Sequence, residues 1–271
     1  MNVHALIIDP QQDFCDPVSG ALYVPGAEND MRGLAALLGR YGAEWGAIHV
    51  TLDSHHFLHI AHSIWWQDRE GNPPAPFTII SEDDVTSGKW RTRRSEEETY
   101  SREYVAALAR NGRYPLCIWP YHCLIGTPGH SISALLFPAL TQWEAMTGKT
   151  VDFVRKGENP RTEHYSALRA DVVDPNDTTT GTNSVLVKSL EHADRILVAG
   201  EALSHCIANT VRDLIEITDG SVTEKLVLIT DACSPVTGFE GYAEDFLREM
   251  TVKGVRTMTT AEIQSDNLKA L

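Results

Sequence analysis

Short apolar runs rich in β-branched residues recur along this chain, separated by amphipathic stretches, and that alternation restricts the fold more than any other feature. The runs fall at residues 5–8, 47–52, 116–119, 151–154, 195–199, 226–230 and 255–258. Helical patterns occupy 29–41, 131–139, 182–190, 204–218 and 241–253, with a last turn near 261–265. Runs that are apolar on both faces suit strands covered on both sides. The pattern therefore predicts an α/β fold, a three-layer α/β/α arrangement around a central, mainly parallel sheet. A chain of 271 residues can bury one large core, and it is read as a single domain over 1–271. Residues 66–114 break the alternation with Pro73, Pro74 and Pro76, acidic runs at 82–84 and 96–98, and Arg91, Arg93 and Arg94. This stretch is too short to build much core alone, so it reads as an insertion or lid.

Charge and cysteine usage exclude several functions. A formal net charge of −14 lacks the basic footprint that phosphate-backbone binding requires, so no nucleic-acid partner is expected. No apolar run is long enough to span a bilayer, and the first stops at Asp9 without a basic leader. The cysteines at 15, 117, 123, 206 and 233 are odd in number and form no C-x-x-C pair. A disulfide framework or zinc knuckle is thus not expected, and a cytoplasmic location is.

Four strand ends carry chemistry: Asp9, Asp53, Lys156 and Gly200, which leads to Cys206. Ligands of open α/β sheets bind beyond the carboxyl ends of the strands, so these positions are expected to converge. Cys206 follows a strong strand and sits in the first turn of the next helix. Backbone N–H groups and the helix dipole there favour a thiolate and offer donors to an oxyanion. A carboxylate and an ammonium beside a thiol can share its proton. His205 is adjacent in sequence, but neighbouring helical residues do not face each other, which disfavours a Cys–His dyad. The stretch Asp53-Ser54-His55-His56-Phe57-Leu58-His59-Ile60-Ala61-His62 is rich in metal-ligand types. Asp53 and His55 project the same way from a strand, and His122 is the candidate third donor.

Taken together, these segments resemble the isochorismatase-like cysteine hydrolases, and within them the nicotinamidases. The similar stretches are Ala5-Leu6-Ile7-Ile8-Asp9-Pro10-Gln11-Gln12-Asp13-Phe14, Asp53-Ser54-His55, Trp119-Pro120-Tyr121-His122-Cys123 with Gly126-Thr127-Pro128-Gly129, Lys156-Gly157 with Tyr165-Ser166-Ala167, and Gly200 to Cys206. They occur in the family's order. The resemblance implies an Asp9–Lys156–Cys206 triad acting through a thioester, and an oxyanion hole from the N–H groups of Ala202 and Cys206. It also implies a cis Glu201–Ala202 bond, ring contacts from Phe14 and Trp119, and a divalent metal (zinc, with iron or manganese as alternatives) on Asp53, His55 and His122. His62 is a further metal candidate whose spacing from His55 fits imperfectly. A small-molecule amide is the expected substrate, and a homo-oligomer the expected assembly.

Leu203-Ser204 stands where the family usually has a small apolar residue followed by Thr-Asp, and the insertion lies between two metal-ligand segments. The substrate therefore stays open between nicotinamide and other small amides, including carbamoyl or ureido compounds. Retention of the metal set favours the former. The nucleophilic cysteine disfavours a vinyl-ether hydrolase, and the intact triad disfavours a silent scaffold.

Overall fold

The computed structural model describes residues 1–263, so the end of the turn expected at 261–265 lies outside the described residues. Six strands form the central sheet: β1 (Val3–Ile8), β2 (Ala47–Asp53), β3 (Asp152–Lys156), β4 (Arg195–Glu201), β5 (Leu226–Ser234) and β6 (Arg256–Met258). Their spatial order is β6-β5-β4-β1-β2-β3, and all five pairings are parallel. Both faces are covered. β1 is buried along its whole length, as its uninterrupted apolar sequence requires.

Main helices α1 (Ala27–Tyr41), α2 (Glu98–Arg110), α3 (Phe137–Thr147), α4 (Ser184–Glu191), α5 (Ala208–Ile217) and α6 (Glu240–Lys253) flank this sheet. From β1 the chain winds outward through β2 to β3, and from β4 it winds the other way through β5 to β6. The winding reverses between β1 and β4. A crevice opens beyond the carboxyl ends of strands at such a point, and Asp9 and Cys206 follow those two strands. Gly200 permits the close approach there. It has φ of 113°, and a Cβ would meet the backbone of Ile8.

Two expected elements are corrected. Residues 116–119 are not a strand of the central sheet; only Leu116–Cys117 is extended, pairing antiparallel with Ile79–Ile80. Proline at 115 and 120 truncates the run. The helix expected at 131–139 begins instead at Phe137, where Pro138 suits the first turn. Ser131 and Ile132 are extended, with Ser131 O accepting from Gln12 N–H at 2.8 Å and Ser133 N–H donating to Pro10 O at 2.8 Å, and a turn at 134–136 leads into the helix.

The 66–114 segment is packed against the rest of the chain. Trp66, Ile80, Tyr104, Val105 and Leu108 join the same continuous hydrophobic cluster as the sheet. Burying side chains of this size stabilises by roughly 1.5–3 kcal/mol each, which fixes α2 in place.

Candidate active site

Lys156 is the last residue of β3, and its ammonium is the hub of the site. Nζ lies 2.9 Å from Asp9 Oδ2, 3.0 Å from Asp53 Oδ1, 3.6 Å from Cys206 Sγ and 3.0 Å from the carbonyl oxygen of His164. All three triad candidates are buried. Asp9 sits just past β1 with φ of 42°, and Thr51 of β2 holds it. The Thr51 hydroxyl donates to Asp9 Oδ1 and accepts from Asp9 N–H at 3.0 Å. The Glu201–Ala202 peptide is cis, as the resemblance implied. A single π-helical turn, Leu203–Ile207, carries Cys206 before α5 begins at Ala208.

One electrostatic expectation is overturned. Burial pushes the Cys206 thiol well above its ordinary value; Lys156 opposes this, but Asp9 and Asp53 add to the rise. Desolvation outweighs the helix start. Burial also raises the Asp9 carboxyl despite Lys156. Burial opposes charge on Lys156, yet Asp53 and Asp9 hold its ammonium well above the usual lysine range. The arrangement suits proton transfer from Sγ to Asp9 during attack.

Asp53 joins this cluster to the metal candidates. While Oδ1 takes Lys156, Oδ2 lies 2.9 Å from His55 Nε2 and 3.4 Å from His122 Nε2. Burial would raise the Asp53 carboxyl, but His55 and Lys156 hold it well below the carboxylate range. His122 is brought in by chain pairing, with Trp119 N–H donating to Ala61 O at 2.8 Å and His55 N–H to Cys123 O at 3.1 Å. Its Nδ1–H donates to Pro120 O at 2.8 Å, leaving the Nε2 lone pair facing Asp53. That outer hydrogen bond is the arrangement ligating histidines need. One carboxylate and two imidazoles, all buried, with donor atoms within 4.8 Å of one another, fit a divalent transition metal. His62 donates through Nδ1 to Phe57 O at 3.1 Å, and its Nε2 is buried without a partner. By contrast, His59 uses both ring nitrogens, on Thr162 O and Ala61 N–H, and is structural.

Between these clusters lies a narrow cleft, lined by Phe14, Trp119, Tyr165, Ala202, His205 and Cys206, with Asp53, His122 and Glu163 also in its wall. Aromatic side chains with a few convergent polar groups suit a small planar molecule. His205 pairs through Nδ1 with Ser204 Oγ at 2.9 Å, and burial lowers its pKa to about 3. It serves as an aromatic wall, packed against Trp119, Tyr165 and Phe239.

Sequence reasoning missed Gln11, whose amide locks the site's backbone. Nε2 donates to Asp53 O at 2.8 Å and to His130 O at 3.0 Å, and Oε1 accepts from Asp53 N–H at 2.7 Å. Its place two residues past Asp9 was the available signal. Glu201 was missed as well. Burial, then the adjacent Asp30 carboxylate to which it is hydrogen-bonded, holds its carboxyl well above the usual range. Ser234 Oγ–H also donates to Asp30, at 2.6 Å. A carboxyl raised on folding stabilises fully below its unfolded pKa of about 4.3, and that contribution fades as pH rises through the folded value. Glu201→Gln keeps a donor for Asp30 and should flatten the decline of the melting temperature above about pH 5. Thermal unfolding across pH measures this, and equal slopes in both proteins would remove Glu201 from the account.

Solved structures share this whole architecture. The yeast nicotinamidase Pnc1p aligns at a TM-score of 0.65 with 19% identity, over 94% of this chain and 99% of that one. The chain has the nicotinamidase fold. The pyrazinamidase of Pyrococcus horikoshii, solved in complex with zinc, aligns at 0.56 with 17% identity, over 96% and 99%. An isochorismatase family protein from Desulfovibrio vulgaris aligns at 0.52 with 22% identity, over 100% and 99%. No family model matches the chain, and no curated protein matches it. At these identities the nicotinamidase likeness is one of fold, and the chemistry rests on the side chains just described. Among the described residues, no helix is long and apolar enough to cross a membrane.

Proposed function

We propose that this chain is a cysteine amidohydrolase of the nicotinamidase type, releasing ammonia from a small planar amide such as nicotinamide. The observation that carries the reading is the Lys156 ammonium touching Asp9 and Cys206 beside an aromatic cleft that Cys206, Asp53 and His122 also line. Cys206 Sγ attacks the amide carbonyl carbon as its proton passes to Asp9. The N–H groups of Ala202 and Cys206 receive the developing oxyanion. Collapse expels ammonia, which takes the proton from Asp9, and leaves a thioester on Cys206. Asp9 then removes a proton from water as its oxygen attacks the thioester. The carboxylic acid departs, and Sγ takes back a proton. Lys156 orients Asp9 and balances the charge of Asp53, and of Asp9 whenever that residue is ionised.

Asp53, His55 and His122 would hold a divalent metal, with His62 as a further donor, and such an ion offers a Lewis-acid contact for a substrate lone pair. Phe14 and Trp119 would flank the ring. Zinc bound to the Pyrococcus horikoshii pyrazinamidase supports the choice of a divalent ion.

Ammonia release from a panel of small amides tests the activity, and no release from any of them would sink the reading. Elemental analysis should find about one divalent ion per chain. His122→Ala is expected to weaken metal retention against a chelator by at least roughly tenfold, a loss typical even of outer-shell changes. Full retention would take His122 out of the metal set.

A further inference from the structure

Glu163 is 4% exposed, and it is the one cleft-lining residue, among the described residues, with a buried side-chain polar atom that lacks a partner. Its Oε1 accepts from His164 N–H at 2.9 Å, while Oε2 has no donor. An orphaned buried carboxylate oxygen is costly and in a folded protein calls for an explanation. The remaining wall is mainly aromatic and aliphatic, so this oxygen stands out as a hydrogen-bond acceptor without a partner.

The 66–114 segment builds this feature. Tyr104 Oη on α2 accepts from Glu163 N–H at 2.9 Å, and Tyr100 Oη–H donates to Arg161 O at 2.9 Å. The Arg161 guanidinium pairs with Glu97 at 3.2 Å and lies 3.9 Å over the Tyr100 ring. Residues 161–163 are thus clamped from one helix of the insertion.

We propose that Glu163 is a specificity residue, accepting a hydrogen bond from an N–H or O–H donor carried by the substrate, and that the insertion exists in part to hold it there. This rests on the amidase reading above. The favoured substrates are then small aromatic amides bearing a ring amino or hydroxyl group. His55 has an unpartnered Nδ1 and a donor atom within 4.8 Å of one on Glu163, which makes metal ligation the competing role.

The test compares kcat/KM for pyridine-3-carboxamide and for its ring-amino derivatives in the full-length, metal-loaded protein. The parent should favour at least one amino derivative by about tenfold or more, the range for a hydrogen bond to a charged acceptor. Glu163→Leu should bring that ratio to near one, chiefly through KM, while metal content by elemental analysis holds. Glu163→Gln, which keeps a neutral acceptor and guards against a folding failure of the leucine variant, should retain part of the preference. Tyr104→Phe should lose part of it. Absence of preference in the parent, an unchanged ratio in the variants, or metal loss in Glu163→Leu would each overturn the proposal. If the parent hydrolyses none of these amides but hydrolyses others, the specificity assignment fails while the amidase reading stands; hydrolysis of no amide at all ends both.

Discussion

Cys206→Ala is expected to lower amide turnover by at least about 10⁴-fold, because the nucleophile of a concerted set is removed and the remaining groups have no bond to form. The fold should survive. Sγ is a small buried atom, and its loss costs about 1 kcal/mol, near the average for a point substitution. Steady-state ammonia release and thermal unfolding measure the two sides separately. Mass spectrometry of the parent under turnover should also show an acyl adduct on Cys206. His205→Ala, by contrast, removes an aromatic wall bonded to Ser204, and should act mainly on KM. If Cys206→Ala turned over within tenfold of the parent, or His205→Ala abolished chemistry, the thiol–carboxylate mechanism would be wrong.

Lys156→Met should fail in both activity and stability. The side chains of Lys156 and Asp9 are almost wholly buried, and the ammonium binds Asp9 and Asp53 together. Breaking a buried ion pair by removing one partner costs about 3–5 kcal/mol, since it leaves an uncompensated charge in low dielectric. Methionine fills the volume but leaves two carboxylates facing each other. Urea unfolding should show the loss, and turnover should vanish even where the protein remains folded. Stability equal to the parent would mean that the carboxylates are neutralised in some other way.

Much of this was legible because three strand ends, at Asp9, Asp53 and Lys156, carry their own polar residue. The buried, two-face apolar runs gave the sheet, and Asp9, Asp53 and Lys156 mark where it stops. The run at 116–119 misled because a short buried apolar segment has no periodicity to separate a sheet strand from a loop crossing the core. Its actual role is to pair with the histidine-rich 53–62 loop and deliver His122. The upward push of burial on the Cys206 thiol was also unreadable, since helix position is visible in sequence but depth of burial is not. Gln11 and Glu163 act through contacts distant along the chain, which no local pattern reports. Tyr104 and Glu163 lie in segments read separately, and only packing joins them. Domain organisation and assembly, read as one unit and as an oligomer, stay expectations.

The position of β1 also governs how the chain can be made. This strand, the earliest in the chain of the six, is central to the sheet, yet one of its two neighbours, β4, pairs Arg195 with Val3 across about 190 residues. Contacts that distant are slow to form. During synthesis β1 and β2 emerge early and present an open apolar edge until β4 is available. Fragments that end before β4 should therefore be prone to aggregate, and the nascent chain should be a good client for holding chaperones.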